Sequence, residues 1–137
     1  MDVLDKFKLE IVTPEKIIYS MEVEMVVIPG EGGEFGVLAG HIPIVSSIRS
    51  GFIKIYDKGL VIEKLFVADG FVEVTKTATI VLVDRAYHVL LTKVIDIEKK
   101  IIELEHSRSA DNQDFDDYLF SKDIDFYKSL LASLKDE

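Results

Sequence analysis

After Ala86 the chain has no glycine and no proline, whereas all eight glycines and all three prolines lie before it. Glycine supplies turns and proline stops helices, so their distribution divides the chain into two kinds of structure. In the first part the turn signals are Thr13-Pro14, Pro29 to Gly33, Ala39 to Pro43, Ser50-Gly51, Asp57-Lys58-Gly59, Asp69-Gly70 and Thr75-Lys76-Thr77. Between them lie short runs rich in Val, Ile, Phe and Tyr: Phe7 to Val12, Glu22 to Ile28, Phe52 to Tyr56, Leu60 to Val67, Phe71 to Thr75 and Ala78 to Val83. Short β-rich runs at such spacing predict an antiparallel sandwich or barrel. Phe7-Lys8-Leu9-Glu10-Ile11 alternates apolar and charged groups, as a half-buried strand does. Ile80 to Val83 is apolar on both faces and is expected at the centre of a sheet. Asp69-Gly70 is expected to close a tight hairpin.

The last part reads as helix. Val94, Ile97, Ile101 and Leu104 fall on one helical stripe, with Asp96 placed to cap its start. Ser107 to Gln113 is expected to turn. A second helix is expected from about Asp114 to Lys135. Its apolar residues exceed one stripe: Phe115, Leu119, Phe126, Leu130 and Leu134 form one face, and Phe120, Ile124, Tyr127 and Leu131 another. The fold class is therefore α+β, with a sandwich over residues 1–86 and a connector plus helical hairpin over 87–137.

Composition narrows the function. The 137 residues, of 15.5 kDa, suffice for one domain with a small appendage. There is no cysteine, so disulfides and thiolate metal sites are excluded. No apolar run approaches the roughly 18 residues that span a bilayer. Met1 to Lys8 holds Asp2 and Asp5 and no apolar signal core, so secretion is not expected. The net charge of −9, without a basic cluster, disfavours nucleic acid and anionic lipid as partners. Residues 87–137 carry 7 basic and 12 acidic groups, and residues 1–86 carry 9 and 13.

No catalytic or metal constellation emerges. His41, His88 and His106 have no ligand spacing between them. Ser46-Ser47 lies near His41, yet no G-x-S-x-G elbow is present. The run Gly30-Glu31-Gly32-Gly33-Glu34-Phe35-Gly36 is rich in glycine, but Glu31 and Glu34 would repel phosphate. It reads instead as an exposed loop that offers Glu34 and Phe35 to another protein.

That stretch carries a resemblance. Glu31 through Pro43 is similar to the signature of the epsilon subunit of F-type ATP synthases, G-E-x-G-(two apolar)-P-G-H-x-P, which falls here at Gly33 through Pro43. Ser50 to Ile55, Ala68 to Val74 and the opening Phe7 to Glu15 also look like family segments, in the same order. The resemblance implies an N-terminal β-sandwich of about ten strands, a C-terminal α-helical hairpin and no catalytic residue. It implies a place in the central stalk of a proton-translocating synthase, at the cytoplasmic face of the bacterial inner membrane. The implied partners are the gamma subunit, the ring of c subunits and, transiently through the hairpin, the catalytic alpha and beta subunits. The contact loop for rotor and ring would comprise Gly33, Glu34, Phe35, Gly36, Gly40 and His41. The same patterning also suits a stand-alone sandwich that binds proteins or ligands.

Two departures from the family stand out. Some bacterial members bind ATP through I/L-D-x-x-R-A; here the stretch is Ile95-Asp96-Ile97-Glu98-Lys99-Lys100. Lys99 lacks the planar fork of arginine, so no cofactor is expected and ATP is not expected as a regulatory ligand. Many members also have a basic last helix, whereas Asp114 to Glu137 carries 7 acidic groups and 3 lysines.

Overall fold

The computed structural model describes residues 5–89, 94–110 and 117–135. Its strands are β1 (Phe7–Val12), β2 (Ile17–Val23), β3 (Met25–Gly30), β4 (Gly33–Leu38), β5 (Ile44–Ile48), β6 (Gly51–Asp57), β7 (Leu60–Val74) and β8 (Ala78–His88). Its helices are α1 (Val94–Ala110) and α2 (Asp117–Lys135). The chain forms two compact units, Met1–Leu90 and Leu91–Glu137. β8 continues through Tyr87 and His88, past the boundary that the sequence suggested at residue 86.

The strands hydrogen-bond in the order β2-β1-β8-β7-β5-β3-β4, with β6 joining β7 to β3. β7 pairs with β6 along Gly51↔Val67 to Asp57↔Leu60 and with β5 along Ile44↔Val74 to Ile48↔Gly70. β3 also meets both β5 and β6. These four strands close a circuit, so the sheet folds over and its inner face wraps one core. Leu9, Ile11, Val26, Ile28, Ile53, Ile55, Val72 and Val81 are fully buried there. Each such side chain contributes about 1.5–3 kcal/mol by leaving water.

Eight strands are described, against the ten or so that the resemblance implies, and two segments account for much of the regrouping. Glu22 to Ile28, expected as one strand, is divided at Glu24 between β2 and β3. The Glu24 carboxylate accepts a hydrogen bond from the Lys58 N–H at 3.0 Å. Conversely, Asp69-Gly70 does not turn. It bends β7 in mid-strand, with Asp69 at φ 49, while β8 pairs along both halves from Leu65↔His88 to Val74↔Thr79. The bend lets one strand exchange β6 for β5 as its neighbour. The tight two-residue turn lies instead at Lys58-Gly59, both at positive φ, between the paired Asp57 and Leu60.

In the helical unit, α1 continues to Ala110 and absorbs half of the turn expected at Ser107 to Gln113. Residues 111–116, including Asp114 and Phe115, lie outside the described residues. Asp96 lies inside the first turn of α1, where its charge opposes the positive end of the helix dipole; it is not the cap. Ile97, Ile101, Ile124, Phe126 and Leu130 are buried. Ile124 thus joins the buried set with Phe126 and Leu130 although the sequence placed it on a separate face. Lys128 and Glu105 join the helices across the surface at 3.8 Å.

Candidate docking surface

The expected contact loop is mostly strand. β3 and β4 form a hairpin whose ends, Gly30 and Gly33, pair across the two residues Glu31-Gly32. Gly33 takes φ +127, a region closed to side chains, and starts β4. Glu34 and Gly36 are exposed on this edge strand. Phe35 is half-buried and packs partly on the core. A Cβ at Gly30 would sit 2.8 Å from the Phe35 ring, so the glycine makes room for it.

Gly40 and His41 lie beyond the far end of β4. Gly40, at φ +78, donates its N–H to the Lys76 carbonyl at 3.1 Å, in the β7–β8 turn. The His41 N–H donates to the Leu38 carbonyl at 3.1 Å. Its Nδ1 lies 2.6 Å from the Ile42 carbonyl oxygen, which can only accept, so Nδ1 is the donor of this bond. Glu34 lies near the start of β4 and Gly40 beyond its end, with the strand between them rising about 3.3 Å per residue, so the motif serves two separate ends of the hairpin.

The larger exposed feature was not singled out from the sequence. Phe71 on β7 pairs with Leu82 on β8, Leu82 with Val12 on β1, and Val12 with Ile17 on β2. Phe71 is 59% exposed, Leu82 53% and Ile17 61%. Ile80 and, on β5, Val45 extend the patch on the same pleat. A shallow depression of about 400 Å³ lies against this row, lined by Val12, Pro14, Phe71 and Leu82 among others. Exposed apolar groups gathered across four strands mark an interaction site. The sequence signal was the two-sided apolar run Ile80 to Val83. β8 is central in the sheet as expected, but only Val81 and Val83 face the core.

His88 Nδ1 lies 2.9 Å from Glu63 Oε1, across the end of the β7–β8 ladder. Burial, followed by the charges of Glu63 and Asp57, raises the Tyr19 phenol above its usual range. On α1, Asp96 and Lys99 are both exposed, and Ile95 contributes only backbone to what is described.

The pattern of the family described as "ATP synthase, Delta/Epsilon chain, beta-sandwich domain" matches residues 6–89. The chain belongs to this ATP synthase delta/epsilon family. Within it, an ATP synthase epsilon chain from Magnetococcus marinus is 37% identical over 135 residues, which cover 94% of each chain. The epsilon chain of Granulibacter bethesdensis is 43% identical over 97 residues, 71% of this chain and 72% of its own. That of Rhodospirillum rubrum is 45% identical over 80 residues, 58% of this chain and 60% of its own. A chain in the Euglena gracilis mitochondrial ATP synthase shares the fold, with a TM-score of 0.66 at 19% identity, over 98% of this chain and 84% of that one. Among the described residues no helix is long and apolar enough to cross a membrane.

Proposed function

We propose that this chain is a non-catalytic epsilon subunit in the central stalk of a proton-translocating rotary ATP synthase. It turns with the rotor and links the ring of c subunits to the catalytic head. The gamma subunit docks on the apolar row Phe71–Leu82–Val12, and the c ring meets the hairpin end that carries Gly33 and Glu34. The complex lies at the cytoplasmic face of the bacterial inner membrane, and this subunit attaches peripherally. The observation that supports the reading is the exposed apolar face, which a lone protein would leave in water at a cost.

The sandwich is the anchor, and the helical hairpin is a regulatory element that reaches the alpha and beta subunits transiently. No cofactor takes part, because Asp96 and Lys99 lack the arginine that nucleotide-binding members use. The test is a chain ending after Leu90, which keeps all of β8. It should fold, bind purified gamma subunit and assemble with the c ring. A folded chain of this length that fails to bind gamma overturns the reading.

A further inference from the structure

We infer that the partner surface covering Phe71 and Leu82 is itself apolar at its centre and carries lysine or arginine on the flank that faces Glu10 and Glu73. This rests on the reading above that gamma docks on this face. The argument comes from the pleat. Side chains two residues apart on a strand share a face, about 6.8 Å from one another. Two residues from Phe71 along β7 is Glu73, and Asp69, at the bend, lines the depression beside Phe71. Two residues from Val12 is Glu10, and two from Leu82 is Asp84. The apolar row is therefore bracketed by carboxylates on both sides.

The row that contains Ile80 is the more demanding. Glu73 on β7 and Glu10 on β1 both pair with Ile80 on β8, so it stands between two carboxylates. Strands lie about 4.8 Å apart, so no partner can cover Ile80 without stripping water from both acids. A carboxylate that loses water needs a hydrogen-bonded cation in exchange. Lys8 precedes Glu10 by one pleat, Arg85 lies 3.9 Å from Asp84, and Arg49 lines the depression beside Asp69 together with Glu31. The local balance stays negative, so a neutral or acidic partner would be rejected and a basic one steered in.

The experiment uses the full chain and purified gamma subunit, followed by surface plasmon resonance from 50 mM to 500 mM salt. Three exposed-surface variants are compared: Phe71→Ser, Glu10→Lys/Glu73→Lys and the milder Glu10→Gln/Glu73→Gln, each checked for an unchanged melt. The expected result is slower association at higher salt for the parent. The lysine pair should weaken affinity at least tenfold, and the glutamine pair should flatten the salt dependence. If Phe71→Ser abolishes binding while both charge variants bind within twofold of the parent, the basic flank facing Glu10 and Glu73 is refuted and the docking site stands. If Phe71→Ser binds as the parent does, gamma docks elsewhere and both readings fall.

Discussion

Gly70 lies so close to Leu82 that a Cβ on the glycine would sit 2.1 Å from the Leu82 carbonyl oxygen. The contact occurs where β7 bends and changes partner, with β8 pressed against the bend. The obstructing atom is backbone and cannot swing aside. Gly70→Ala should therefore cost about 3 kcal/mol, at the upper end of what overpacking costs. Urea unfolding measures this, and a loss under about 0.5 kcal/mol, the scatter of harmless surface changes, would refute the close approach.

Thr79 is 1% exposed in the sandwich, and its hydroxyl has no hydrogen-bond partner among the described residues. Valine has nearly the same shape without the polar group. Thr79→Val should stabilise the chain by about 1 kcal/mol, by removing an unsatisfied buried hydroxyl. A destabilised variant in the same urea assay would mean that the hydroxyl is satisfied in solution.

Tyr19 makes the fold sensitive to alkaline pH. Its folded pKa is raised above the ordinary 10.0, first by burial and then by Glu63 and Asp57. The folded state thus holds the phenolic proton more tightly than the unfolded state. The contribution is complete below pH 10, and it is lost as pH rises through the folded value. Thermal melts from pH 8 to 11.5 should show Tyr19→Phe declining less steeply above pH 10 than the parent. Parallel curves would show that Tyr19 titrates normally.

ATP should bind the isolated chain only weakly. Lys99 is exposed on α1 and offers a point charge in place of a bidentate fork, and the chain carries −9 overall. Calorimetric titration with Mg-ATP should find no dissociation constant below about 1 mM, equivalent to about 4 kcal/mol of binding. A low-micromolar constant would show that Asp96 and Lys99 suffice.

Local patterns in the sequence gave the division into sandwich and hairpin, because turn residues and helical periodicity act over a few positions. β1 (Phe7–Val12) falls where its alternation placed it, and Thr75-Lys76-Thr77 turns as its residues require. The sequence also carried the family, through the ordered stretch around Gly33 to His41. Tertiary structure decided what depends on neighbours distant in the chain. Asp69-Gly70 has the chemistry of a hairpin turn, yet β8 runs beside both halves of β7 and holds the two residues as a bend. Phe35 lies in the signature motif but packs on the core, while Phe71, in a run read only as a strand, faces water. A strand's alternation shows that it has two faces. Which face is covered depends on how the folded-over sheet stacks, and that is fixed only by pairings such as Phe71 with Leu82 and Leu82 with Val12.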